Sequence, residues 1–251
     1  MELTEFFHQY PRIALAFSGG TDSAYLLWAA REAGAQVGAY LMATPFQPAF
    51  ELADARRLAE ELGAPLRVIS YNVLEVPEVA ANPPDRCYHC KGAMSRQLLA
   101  AAAADGYHAV MDGTNASDDA GDRPGMRALR ELGVLSPLRL CGITKEEVRR
   151  RSREAGLFTW DKPSYACLAT RVPTGTAITA ADLRRVEAGE ETLRTLGFSD
   201  LRLRLLPGGA RLELPGGQLE EAARRAGEIR AALAPWFDMV LLDLKGREAN
   251  G

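Results

Sequence analysis

The chain has 251 residues, 47% hydrophobic and 25% charged, with a formal net charge of −3. That length allows one large or two modest domains with a sizeable core, and the slightly acidic balance gives no global drive toward nucleic acid. No run of about 18 apolar residues reads as a membrane span, and MELTEFFHQYPR does not read as a secretory signal. Four cysteines are too few for a disulfide scaffold, so a cytoplasmic chain with reduced thiols is expected.

Ile13 to Phe17 is a short apolar run ending in glycines, which suits a buried parallel strand. Asp22 to Ala33 has helical composition and stops before Gly34, and Val37 to Met42 reads as the second strand. A helix over Phe50 to Leu62, a strand at Leu66 to Ile69, a helix over Gln97 to Ala104 and a strand at Ala109 to Met111 follow. This alternation predicts the α/β class, a doubly wound parallel sheet with its ligand site at the carboxyl ends of the strands. After a helix from Thr144 to Ala155, residues 157–178 carry several Pro and Gly and little periodicity, and loops of that length are usually functional or disordered.

The rhythm then changes: a helix over Ala180 to Leu196, a hairpin of Leu201 to Leu206 and Arg211 to Leu214, a helix over Leu219 to Leu233 and a strand at Met239 to Leu242. The expected division is a nucleotide-binding domain at 1–156, an active-site loop at 157–178 and a smaller α+β domain at 179–251.

FSGGTDSAYLL begins where the first strand ends. Gly19 and Gly20 let backbone N–H groups converge, and the following helix adds its positive end, which together suit a phosphate. Ser18 and Ser23 add hydroxyls, and Asp22 suits a magnesium ion. A plain Asp or Ser helix cap is the simpler alternative. The G-x-x-x-x-G-K-[ST] and G-x-G-x-x-G loops are both absent.

S-G-G-x-D-S resembles the PP-loop of the ATP pyrophosphatases, which implies ATP and magnesium, release of pyrophosphate and an adenylated product. Three further stretches, NPPDRCYHCK (82–91), DGTNASDDAGDRPG (112–125) and WDKPSYACLATR (160–171), taken in order with that loop, resemble the LarE-type sulfur transferases. That family acts in making the nickel-pincer nucleotide of lactate racemase. The resemblance implies a pyridinium mononucleotide substrate, with Cys167 as sulfur donor, and a homo-oligomer, a hexamer. Arg171, four residues on, suits lowering the thiol's pKa or holding phosphate. The bland alternative for Cys167 is a small buried hydrophobe.

Family members that sacrifice their cysteine lack the C-x-x-C pair. Cys87 and Cys90 together with Cys167 match another branch, in which three cysteines hold a [4Fe-4S] cluster with one iron left to carry an extra sulfide. Zinc with His89 or Cys141 as a further ligand, a redox pair ahead of a helix, and unremarkable sulfur stay open. Cys141, among apolar neighbours, reads as structural.

Asp112, Thr114, Asn115, Asp118 and Asp119 follow the fourth strand and are expected near the nucleotide, although such residues also make ordinary turns. The resemblance places Glu190 by the active site; a solvated helix face is the alternative. Arg202 and Arg204 alternate on one strand and point to one side, where the family holds the substrate's phosphate. His8 and His108 have no partner pattern. Only four of the 30 basic residues are lysines, so arginine clusters count for less than usual. Three rivals remain: a PP-loop tRNA thiolase, a nucleotide-binding metal or cluster sensor without catalysis, and last an amide-forming ligase on the same fold, which leaves Cys87, Cys90 and Cys167 without a task.

Overall fold

A computed structural model describes residues 1–118, 124–163 and 165–247. Asp119, expected near the nucleotide, and Ser164 of the cysteine stretch lie outside the described residues. The chain forms two compact units, one of residues 1–79 and 85–162, the other of residues 80–84 and 163–251.

In the first unit, α1 (Leu3–Gln9), β1 (Arg12–Ala16), α2 (Thr21–Glu32), β2 (Gln36–Ala43), α3 (Ala49–Glu61), β3 (Leu66–Ser70) and α4 (Pro77–Ala80) come in order. They are followed by α5 (Arg86–Ala104), β4 (Val110–Met111), α6 (Pro124–Glu131), α7 (Pro137–Leu140) and α8 (Lys145–Glu154). The described strands make one parallel sheet of order β3-β2-β1-β4.

Side chains of a strand alternate between the faces, so the central strand feeds two cores. Ile13 and Leu15 join Leu26, Leu27 and Ala30 of α2 on one face. On the other, Ala14 joins Tyr40 and Met42 of β2 and Leu98 and Ala102 of α5. This is the doubly wound α/β arrangement expected of a PP-loop domain. α1, absent from the predicted elements, buries Phe6 and Phe7 in the first core.

α5 begins at Arg86, not Gln97. Pro83 and Pro84 cannot propagate a helix, but Asp85 can flank its first turn. Gly92 hides the continuity in the sequence, although it is buried close to Ala128 of α6.

The second unit holds α9 (Ala180–Thr195), β5 (Arg202–Leu206), β6 (Gly209–Glu213), α10 (Leu219–Arg224), α11 (Ala226–Leu233) and β7 (Val240–Leu242). β5 and β6 pair antiparallel and β7 joins β6 in parallel, giving an α+β part smaller than the first. The helix expected over Leu219 to Leu233 is broken at Arg225, whose guanidinium bonds the Leu196 carbonyl and Glu228. Asn82, buried and at φ 56°, fastens residues 80–84 to the loop after Cys167 by donating to the carbonyls of Pro173 and Thr176. No described helix is long and apolar enough to cross a membrane.

Candidate functional site

In the first unit the glycine turn lies between β1 and α2, at the carboxyl end of the central strand. Gly19 sits at φ 71°, and a Cβ there would stand 2.6 Å from the Cβ of Ala55, so only glycine fits. Gly20 caps α2 without any side-chain cap bond, which removes the plain Asp or Ser cap and leaves first-turn N–H groups for an anion. Ser18 and Ser23 brace the turn. The Ser23 hydroxyl accepts from Ser18 N at 3.3 Å and donates to Gly20 O at 3.1 Å, while the Ser18 hydroxyl accepts from Gly20 N at 3.3 Å.

The loop after β4 comes close to this turn. A Cβ on Gly113 would lie 2.9 Å from Ser23 N, so the approach is backbone to backbone. Asn115 Nδ2 donates to Asp22 Oδ1 at 3.1 Å. The Asp112 carboxylate accepts from Thr114 N and Oγ1 and from Ser136 Oγ. Asp118 caps the Asn115 N–H at 2.9 Å. The predicted nucleotide residues Ser18, Gly19, Gly20, Asp22, Ser23, Asp112, Thr114 and Asn115 thus gather at one end of the sheet.

Lys145, missed in the sequence, places Nζ 2.6 Å from Asp22 Oδ2. It opens α8, where a lysine opposes the helix dipole, and that misfit was the available signal. Beside the turn lies a cavity of about 220 Å3 between the sheet and α5, with Phe17, Ser18, Met42, Gln47, Met94 and Leu98 among its walls.

Cys87 and Cys90 lie inside α5 rather than ahead of it, correcting the expected position of the pair. Residues three apart share a helix face. Cys87 is exposed, with the Arg86 guanidinium 3.9 Å from its sulfur, and Cys90 is half-buried against the Met94 sulfur at 3.6 Å. Neither is in a disulfide. Cys141 follows α7, half-buried against the first core, and burial pushes its thiol pKa up. Among the described residues, no group of three or more His, Cys, Asp or Glu is arranged to hold a metal ion.

In the second unit Cys167 is half-buried and precedes a short 3-10 turn, Leu168–Arg171. Arg171 is 1% exposed and turned inward, which leaves it unavailable to a phosphate as placed. Its guanidinium binds both oxygens of Glu190, at 2.7 and 3.1 Å, and the Ala166 carbonyl at 2.6 Å. Burial opposes its charge, but the Glu190 carboxylate outweighs this and holds its pKa above the usual value; attraction to the Cys167 thiolate adds to it.

Glu190 is 0% exposed, so the solvated-face alternative is removed. Besides Arg171 it accepts from the Tyr165 hydroxyl, from Arg194 and from Leu203 N. Tyr165, also missed, lies beneath the Arg171 guanidinium at 4.6 Å. This network shapes the loop that carries Cys167.

Arg202 and Arg204 do share one face of β5, while Leu203 and Leu205 face the core. Arg204 donates to Glu213 at 2.6 Å and to the Thr170 carbonyl at 2.7 Å. Arg202 is the more available: burial, then Arg247, Arg171 and Arg204, hold its pKa below the usual guanidinium value. A half-buried cation crowded by like charges favours an anion nearby.

No family model matches the chain. An uncharacterised protein of Synechocystis is 37% identical over 252 residues, 99% of this chain and 94% of its own. One of Methanocaldococcus jannaschii is 31% identical over 77% of this chain and 73% of its own. The pyridinium-3,5-bisthiocarboxylic acid mononucleotide synthase of Lactiplantibacillus plantarum is 33% identical over 238 residues, 94% of this chain and 86% of its own. With that identity sustained over nearly its whole length, the chain belongs to the LarE-type family of enzymes.

Proposed function

We propose that the protein is an ATP-dependent sulfur transferase that forms AMP and pyrophosphate. It converts a carboxylate of a pyridinium-biscarboxylate mononucleotide into a thiocarboxylate, a step toward the nickel-pincer nucleotide. The observation that carries this reading is the uncapped start of α2 behind Gly19 and Gly20, with Asp22 in its first turn, in a chain a third identical to the synthase.

A carboxylate is a poor electrophile. Attack of its oxygen on the α phosphorus of ATP releases pyrophosphate and leaves an acyl adenylate. The N–H groups opening α2 and the Ser18 hydroxyl hold the phosphates, and the Ser23 hydroxyl braces the turn that presents them. Asp112, Thr114 and Asn115 form the second wall of that site. The Asp22 carboxylate fits a hard cation, so Asp22 would hold magnesium, which neutralises phosphate charge when bound. Arg202 and Arg204 bind the substrate's own phosphate.

The Cys167 thiolate attacks the acyl carbon, and AMP departs with the electron pair of the broken bond, leaving a thioester. Loss of the Cys167 Cα proton to solvent then breaks the Cβ–S bond. Sulfur leaves on the product as a thiocarboxylate, and dehydroalanine remains in the chain. Arg171 and Glu190 set the conformation of the loop from which the thiolate acts.

In the alternative route Cys167 is kept: Cys87 and Cys90, on one face of α5, fit two ligands of a [4Fe-4S] cluster, for which Cys167 would be the third. Such a cluster supplies an iron with an open coordination position.

The test is anaerobic turnover with ATP and pyridinium-3,5-biscarboxylic acid mononucleotide, reading pyrophosphate, the mass of the product and the mass of the protein. Pyrophosphate release with exchange of oxygen for sulfur supports the reading. Conversion of Cys167 to dehydroalanine assigns the sacrificial route. An unchanged chain, with iron and acid-labile sulfide that disappear in Cys87→Ala, assigns the cluster. No pyrophosphate with this substrate overturns the proposal.

A further inference from the structure

We infer that Lys162 and Asp54 are positioning residues for sulfur transfer, their ion pair fastening the chain that leads to Cys167 onto the helix behind the glycine turn. This rests on the ATP-dependent reading above and adds what keeps the sulfur within reach of the adenylate.

After α8, residues 157–162 are held to the first unit at successive points. Leu157 lies in the core that α2 shares with β1, and Phe158 packs against that core. The Arg57 guanidinium of α3 lies over the Phe158 ring at 4.4 Å. The Thr21 hydroxyl, in the first turn of α2, donates to the Thr159 carbonyl at 2.8 Å, and both residues are buried. Lys162 N donates to Thr159 O at 3.2 Å, closing a turn. The last fastening is the Lys162 side chain. Its Nζ lies 2.7 Å from Asp54 Oδ2 and 5.9 Å from the centre of the Phe50 ring, and both partners belong to α3.

Asp54 precedes Ala55, against which Gly19 of the glycine turn is packed. The ion pair therefore ties the end of this segment to the helix that backs the proposed phosphate turn. Pro163 follows, with φ fixed by its ring and no N–H to offer. Lys162 is the last residue of the first unit, and Cys167 is five residues further on. Five residues span at most about 18 Å, so the place where Lys162 is held bounds where the sulfur can go.

The chemistry makes that bound matter. An acyl adenylate that sulfur does not meet is open to water, which returns the carboxylate and AMP after pyrophosphate has gone. Reacting atoms must come within about 3.5 Å, and a displacement of about 1 Å can cost about 100-fold. Lys162 and Asp54 hold no group assigned above to phosphate, magnesium or substrate, so breaking their pair should change the fate of the adenylate and not its formation.

The experiment measures pyrophosphate and thiocarboxylate in a single anaerobic turnover of the full chain with ATP and pyridinium-3,5-biscarboxylic acid mononucleotide. Wild type is compared with Lys162→Met, Lys162→Asp, Asp54→Lys and the exchanged pair carrying both reversals, with circular dichroism confirming that each is folded. Pyrophosphate release should stay within about threefold of wild type throughout. Thiocarboxylate formed per pyrophosphate should fall about two- to fivefold in Lys162→Met, the scale of a partly exposed ion pair. It should fall about tenfold or more in each reversal, where like charges meet, and return to within about threefold of wild type in the exchanged pair. A merely structural pair would lower both products together and leave their ratio unchanged. An unchanged ratio in Lys162→Met and in the folded reversals overturns the inference, as does an exchanged pair no better than either reversal. Wild type that releases no pyrophosphate overturns the ATP-dependent reading, and this inference falls with it.

Discussion

Each unit has a carboxylate bound to a cation near its proposed chemistry, and the two pairs differ in how fully they are committed. Asp22 and Lys145 meet through one ammonium contact, with side chains 23% and 20% exposed. Among the described residues, the other Asp22 oxygen has only the Asn115 amide. Glu190 and Arg171 are bonded twice, both 0% exposed, with Tyr165, Arg194 and a backbone N–H completing the carboxylate. A partly exposed ion pair is worth about 0–1 kcal/mol, so Asp22 and Lys145 can part cheaply for the proposed magnesium and phosphate. A buried pair that loses one member leaves an uncompensated charge, at about 3–5 kcal/mol. The first pair is therefore suited to change partners during a reaction, and the second to hold a loop still.

The largest expected effect concerns the residue this second pair supports. Cys167→Ala should abolish thiocarboxylate formation and leave pyrophosphate release within about threefold of wild type, because adenylation precedes thiolate attack. Loss of both activities would mean that the cysteine serves the adenylation step.

Next in size is stability. Glu190→Ala should destabilise the fold by about 3–5 kcal/mol in denaturant unfolding, whereas Asp22→Asn should cost no more than about 1 kcal/mol. The order reverses for pyrophosphate release, where Asp22→Asn should cost about 100-fold or more. Similar stability losses in the two variants would erase the contrast.

Gly19→Ala places a side chain at positive φ and against Ala55, and should cost about 1–3 kcal/mol together with nucleotide binding. Normal binding in that variant would show that the turn does not hold phosphate.

The smallest effect is electrostatic. Hydrogen bonds from Arg150 and then Arg151 hold the Glu147 carboxyl down from 4.5 to about 2. Its contribution is fully present above pH 4.5 and disappears as the pH falls through about 2. Glu147→Gln should therefore show a melting temperature that varies less with pH across this window than wild type does. Parallel curves would remove Glu147 from the acid response.

Much of the first unit was legible because its signals are local. β1 and β2 are apolar runs buried on both faces, and Gly34 and Gly63 stop helices within a residue or two of their observed ends. The start of α5 was not legible, because Gly92 reads as a breaker until its contact with α6 is seen. The break at Arg225 was hidden for the opposite reason: Leu219 to Leu233 has uniform helical composition, and a long-range bond to Leu196 goes with the interruption.

The site divides along the same line. Consecutive residues already place Ser18, Gly19, Gly20 and Asp22 at a strand-to-helix turn, since backbone freedom and the helix dipole act over a few residues. The i,i+3 spacing likewise puts Cys87 and Cys90 on one helical face once the helix is known. Alternation along β5 puts Arg202 and Arg204 on one side. None of this announces Lys145 as the partner of Asp22, or Tyr165 and Arg171 as the clamp on Glu190. Those assignments join residues distant in the chain or depend on which atoms lose water, and both are settled when the chain folds and its charges and amides must find partners within reach.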